Sequence, residues 1–237
     1  MKNQYSELNE LGWNDWFAQR ANCKSTESVA RVAAVDRDQL LLVDQSGHFR
    51  AKLAGRYLHH HHLNQELPCV GDWVCVEKQS GDDFGVIHTL LERRTSLRRK
   101  SAGNIMEYQM IAANVDYVLI VQSCHFDFNP NRLERYLVMV LEGGAEPIVV
   151  LTKTDLVAPE VLATQLAEIQ AAGITAPIVP LSNVTQDGLD EVKRLLLPGK
   201  TYCFVGSSGV GKSTLVNLLV GRERMETRSV SGTGEGR

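Results

Sequence analysis

Gly206-Ser207-Ser208-Gly209-Val210-Gly211-Lys212-Ser213 fills every fixed position of G-x-x-x-x-G-K-[ST], a spacing whose chemistry is the holding of phosphate. Glycines at these intervals let the backbone close around phosphate oxygens with its N–H groups turned inward. The start of a helix at the same place adds the positive end of a dipole. Lys212 is placed to reach the β- and γ-phosphates, and the Ser213 hydroxyl to ligate Mg²⁺, with Thr214 next in the helix. This spacing does not separate ATP from GTP.

A second segment can. Thr152-Lys153-Thr154-Asp155 closes the apolar run "IVVL". A carboxylate at Asp155 can accept from both N1–H and the exocyclic amine of guanine, a pairing adenine cannot offer. The stem of Lys153 can lie over the purine face while its ammonium stays in water. The plain alternative is an aspartate that caps a helix. About thirty residues on, "PLSNVTQDG" supplies Ser182 and Asn183 where a GTPase places a Ser-Ala-Lys loop, so the match holds at the serine and fails at the next two positions. In an ordinary GTPase both segments follow the phosphate loop; here both precede it.

The elements that must position these loops alternate. "VDYVLIVQS", "EPIVVLTKTD", "PIVPLS" and "KTYCFVG" read as buried strands. Between them lie helices starting at Asn129-Pro130 and at Pro159, and a third in "GLDEVKRLL"; a fourth, "KSTLVNLLVG", follows the phosphate loop. That order predicts a mostly parallel α/β sheet with ligands outside the carboxyl ends of the strands, where all three loops fall. From Ser28 to about Leu91 the rhythm is of short strands cut by polar turns, with Trp73, Cys75 and Glu77 alternating against Val74, Val76 and Lys78 in "GDWVCVEK". This predicts a small antiparallel barrel, an OB type being one candidate. The organisation expected is an N-terminal extension at 1–27, a barrel at 28–100 and a nucleotide domain at 101–237. The strings Asp44 to Gly47 and Asp82 to Gly85 read as barrel turns. His59 to His62 read as a solvated loop or helical turn, since adjacent histidines rarely converge on one ion.

The net charge of −3 does not announce a nucleic-acid binder, but it conceals a patch. "ERRTSLRRK" carries Arg93, Arg94, Arg98, Arg99 and Lys100 against one acid, as candidates for RNA contact or as a solvated connector. The five cysteines are scattered, with no CxxC pair and no zinc spacing, and read as free thiols of a reducing compartment. Neither a membrane span nor a signal-peptide centre is visible, so a cytoplasmic protein without membrane contact is expected.

Taken together, "GDWV", "RRTSLRRK", "IAANVDYVLIVQS", "LTKTD", "GSSGVGKSTL" and "SGTGEGR" resemble the circularly permuted GTPases of the RsgA/YjeQ family, ribosome small-subunit-dependent GTPases. The resemblance spans nearly the whole chain, and its most specific feature is order: base-reading loop first, phosphate loop second. It implies an OB-type barrel ahead of a permuted P-loop domain and hydrolysis of GTP to GDP and phosphate. It further implies late maturation of the small ribosomal subunit as the role, rRNA contacts from the barrel, and a monomer. It also implies switch segments and a C-terminal zinc-binding domain that this sequence does not contain up to Arg237. The chain therefore reads as C-terminally incomplete, with Zn²⁺ expected only in the missing part, weak or no hydrolysis, and no catalytic residue assigned. Two other readings stay open. One is an RNA-binding module with a regulatory nucleotide domain, in which Trp73, Phe84 and Tyr57 could stack bases. The other is an ATP-using P-loop enzyme.

Overall fold

In a computed structural model, the structure describes residues 6–37, 39–60, 63–78, 84–100, 108–222 and 225. The chain divides into two compact units. The first comprises 1–116 with 143–145 and 198–201, and the second the remainder.

The first unit is built on five strands: β1 (Ser28–Val35), β2 (Leu40–Asp44), β3 (Gly47–Leu53), β4 (Trp73–Lys78) and β5 (Phe84–Leu90). They close in the order β1-β2-β3-β5-β4, with β3 and β5 parallel and every other pair antiparallel. Val32, Leu42, Ala51, Val74, Val76 and Ile87 fill the interior. Strand β4 is buried on both faces, because Leu8, Trp13 and Phe17 of the N-terminal segment pack over Trp73 and Cys75. The alternation read in this strand divides it between the two sides, Trp73 and Cys75 toward the N-terminal segment and Val74 and Val76 toward the barrel interior. Phe17 lies on the short helix α1 (Asp15–Ala18), capped by the Asn14 side chain, which accepts from Trp16 N–H. Leu8, Trp13 and Phe17 of the N-terminal extension thus belong to this unit's core.

Two expectations change here. Cys23 and Cys75 form a disulfide, brought together across 52 residues by the same folding-back of the N-terminal segment; Cys69, Cys124 and Cys203 are free. The barrel also ends at Leu90 rather than at residue 100. Strand β6 (Ser96–Lys100) pairs with β7 (Tyr108–Ala113) in a separate two-stranded ribbon. Asp44 to Gly47 is the β2–β3 turn; Asp82 lies outside the described residues, and Gly85 is in β5. His59 and His60 end the helix α2 (Gly55–His60), while His61 and His62 lie outside the described residues.

The second unit is a parallel sheet in the order β10-β9-β8-β11, from β8 (Tyr117–Ser123), β9 (Glu146–Thr152), β10 (Ile178–Pro180) and β11 (Tyr202–Val205). Helices α3 (Pro130–Glu142), α4 (Pro159–Ala171), α5 (Leu189–Leu195) and α6 (Lys212–Val220) connect or follow the strands. Asn129 caps α3, its Oδ1 accepting from Arg132 N–H at 2.9 Å, with Pro130 at the first helical position. Leu119, Val121, Ile148, Val150, Val179, Leu189, Val192 and Leu215 form one core that fixes where the carboxyl ends of the strands emerge.

Candidate nucleotide site

Four loops leave the carboxyl edge of this sheet, and side chains join them. The phosphate loop runs from the end of β11 to the start of α6. Gly206 sits at φ +141°, and a Cβ there would lie 2.1 Å from the Val121 carbonyl oxygen on the neighbouring strand. Gly211, at φ +97°, would place a Cβ 2.5 Å from the Asn183 amide nitrogen. Gly206 therefore needs glycine for space as well as for conformation, and Gly211 for its left-handed backbone, where a Cβ would also displace the Asn183 amide. Val210 is buried in the core while Ser208 is exposed, so the loop is anchored at one residue and open at another.

The loop is held by residues from the segments that precede it in the chain. Thr152, wholly buried at the end of β9, approaches the Val210 carbonyl with its hydroxyl at 2.6 Å and the Gln122 carbonyl at 3.3 Å. Asn183 Nδ2 donates to the Gly211 carbonyl at 3.1 Å. The Ser182 hydroxyl donates to Asp155 Oδ1 at 2.6 Å and accepts from the N–H groups of Val184 and Thr185. This fixes one oxygen of the Asp155 carboxylate, while the residue itself is exposed. Lys153 adopts left-handed backbone at φ +60°, a conformation that a side chain bearing Cβ takes at a cost of about 1–2 kcal/mol. Such strain, held between a buried strand and a polar loop, is characteristic of ligand-facing positions. Thr154 follows, its N–H directed to the Leu181 carbonyl at 3.4 Å.

Lys212 Nζ donates to the carbonyls of Gly206 at 2.8 Å and Ser207 at 2.6 Å, which holds the ammonium over the loop. Burial pushes its pKa below the ordinary lysine value, and the charge of Asp127 opposes that shift. Ser213 and Thr214 begin α6 and are half-buried. Among the described residues the Ser213 hydroxyl makes no hydrogen bond, so its oxygen fits the ligand role for Mg²⁺ beside phosphate oxygens. Elsewhere, Cys23, Glu27 and Cys75 bring potential metal-ligand atoms within 4.8 Å of one another, but the disulfide occupies both sulfurs.

The family model described as RsgA GTPase matches residues 90–237. The chain belongs to the RsgA GTPase family. Two relatives named small ribosomal subunit biogenesis GTPase RsgA illustrate the likeness. That of Opitutus terrae is 39% identical over 234 residues, covering 94% of this chain and 63% of its own. That of Streptomyces coelicolor is 36% identical over 237 residues, covering 98% and 63%. This chain thus spans about 63% of the length of those relatives. Among solved structures, YjeQ from Thermotoga maritima superposes with a TM-score of 0.66 at 26% identity, covering 86% of this chain and 68% of that one. YloQ, described as a circularly permuted GTPase, shares the fold with a TM-score of 0.60 at 24% identity, covering 84% and 66%. The chain is accordingly a permuted P-loop fold preceded by a closed five-stranded barrel.

The structure divides the basic run. Arg93 faces inward: Nε and Nη2 donate to the fully buried Asp72 carboxylate at 2.8 and 2.7 Å, and the remaining donors reach the carbonyls of Gln65 and Leu67. Arg94 pairs with Asp116. Neither is a free RNA-contact group, because their charge is already neutralised within the fold. Arg98, Arg99 and Lys100 are exposed on β6, with Arg98 4.5 Å over the Tyr108 ring and Arg99 bonded to Gln109. Trp73 and Tyr57 are buried and Phe84 is half-buried, so the first two offer no face for stacking a base.

Sequence reading missed Arg132, which reaches the loop before α6 at Ser207, and Asp127, which holds Arg132. The sequence marks the helix that carries Arg132 only by its cap at Asn129-Pro130. A basic residue in the first turn of a helix that opens at the ligand edge of a sheet was the available signal.

Proposed function

We propose that this chain binds GTP and GDP and hydrolyses GTP to GDP and phosphate in late maturation of the small ribosomal subunit, in the cytoplasm. The observation that carries the reading is the stitching of two base-reading segments to the phosphate loop, Thr152 to Val210 and Asn183 to Gly211, beside an Asp155 carboxylate oriented by Ser182. In this reading Asp155 accepts from guanine and Lys153 covers the purine face. Ser182 and Asn183 complete the base side. Gly206 to Thr214 hold the phosphates, with Ser213 on Mg²⁺. The nucleophile is water, so no covalent intermediate is involved. The exposed Arg98, Arg99 and Lys100 of the β6–β7 ribbon supply rRNA contact.

The test is displacement of a fluorescent GDP from the chain. GDP and GTP displace it, ATP does not, and Asp155→Asn weakens GDP by roughly a hundredfold through loss of the paired, charge-assisted acceptor. Equal displacement by ATP would sink the guanine reading. For the partner, charge reversal of Arg98, Arg99 and Lys100 should weaken small-subunit binding and leave GDP affinity unchanged; unaltered subunit binding removes that surface from the proposal.

A further inference from the structure

We infer that Arg132, locked by Asp127, is a positioning residue that sets the grip of the phosphate loop; the inference rests on the nucleotide-site reading of that loop. Arg132 lies in the first turn of α3, which emerges from the same sheet edge. Its Nη1 donates to the Ser207 hydroxyl at 2.7 Å, across 75 residues of sequence. Its Nη2 donates to the Asp127 carbonyl at 2.8 Å and to Asp127 Oδ1 at 2.7 Å. A planar fork pinned at one prong presents the other with little freedom, which is how a guanidinium holds a neighbouring loop in place.

Asp127 explains why the arrangement is more than packing. Its Oδ2 is buried and has no hydrogen-bond partner among the described residues, so the carboxylate depends on Arg132 for neutralisation. It also lies close enough to Lys212 for its charge to act on the ammonium, against the effect of burial. Beside a site for phosphate, an anion is tolerable only while a cation covers it. Arg132 therefore has two effects: it fixes Ser207, and it shields incoming phosphates from Asp127. Both concern the phosphates and neither concerns the base.

This separates positioning from mere structure. In the full chain, Arg132→Gln is expected to weaken GDP about tenfold, the scale of one charge-assisted hydrogen bond, while guanosine displaces a fluorescent nucleotide as well as from the wild type. Retained guanosine binding is also the control for folding. Adding Asp127→Asn to Arg132→Gln should restore part of the lost GDP affinity, because the uncovered anion is gone. Three results would overturn the inference: unchanged GDP affinity in Arg132→Gln, an equal fall for GDP and guanosine, or a further loss when Asp127→Asn is added. Failure of the wild-type chain to take up GDP would instead overturn the nucleotide reading, and this inference with it.

Discussion

Replacing Arg93 by Met should unfold the first unit far more readily than the same change at Arg98, five residues on in the same basic run. Asp72 is 0% exposed and its carboxylate takes two hydrogen bonds from Arg93 and one from the Cys69 N–H at 2.7 Å. Burial pushes the Arg93 pKa down, yet the hydrogen bond and charge of Asp72 outweigh it and leave it raised, so the guanidinium keeps its charge. Removing the cation leaves a buried carboxylate with one donor and strips the Gln65 and Leu67 carbonyls of theirs. Breaking a buried pair from one side costs about 3–5 kcal/mol. With a urea slope of about 1.5 kcal/mol per molar for a unit of this size, the midpoint should fall by roughly 2–3 M. Arg98→Met removes an exposed group over the Tyr108 ring and should cost no more than about 0.5 kcal/mol. Tryptophan fluorescence is the assay, since Trp13, Trp16 and Trp73 all lie in the first unit. Replacing Asp72 by Leu alongside Arg93→Met should recover much of the loss, because no unpaired charge then remains. If Arg93→Met melts with Arg98→Met, the assignment of Arg93 to the interior is wrong.

Two further outcomes follow from the same geometry. Thr152→Val keeps the shape of a wholly buried residue but removes the hydroxyl that holds the Val210 carbonyl, so GDP should dissociate about tenfold faster; an unchanged off-rate in stopped-flow would count against this link as part of the grip. Burial pushes the Cys69 thiol up to about 12, with Asp72 adding to the effect, and the Cys124 thiol up to about 11. A raised thiol pKa lowers the reactive thiolate fraction, by about a thousandfold at Cys69 at pH 8, so iodoacetamide should label neither residue until urea is added. Rapid labelling of native Cys69, read by mass spectrometry, would contradict its placement.

What the sequence disclosed depended on range. The glycine-rich turn between β11 and α6, the Asn129 cap with Pro130, and the alternation of strands and helices are set by neighbours a few residues apart, and each of these elements is found where expected. The barrel was legible as short strands, but the parallel pairing of β3 with β5 was not, since no local pattern reports which distant edge a strand will meet. Arg93 and Arg98 are the same residue type in one basic run. Only the position of Asp72, 21 residues upstream, turns the first inward. Likewise Cys23 gave no sign of Cys75, because the pairing follows from Trp13 and Phe17 covering Trp73. Asn183 read as a departure from an expected alanine; its contact with Gly211 is visible only once β10 and β11 are set in one sheet.

The position of β11 at the end of the strand order has a consequence for how the domain is made. Synthesis delivers β8, β9 and β10 with the Thr152 and Asn183 loops before it delivers Tyr202–Val205, which among the described residues pairs with the edge of β8. Until then that edge has no partner in the sheet, and the Thr152 hydroxyl and the Asn183 amide lack the carbonyls they will hold. If the proposed site assignment holds, a nascent chain that stops short of this strand has the purine side of the site without the loop that would hold the phosphates. On the proposed reading, nucleotide capture therefore waits until β11 has joined the edge of β8 and brought its loop under Thr152 and Asn183.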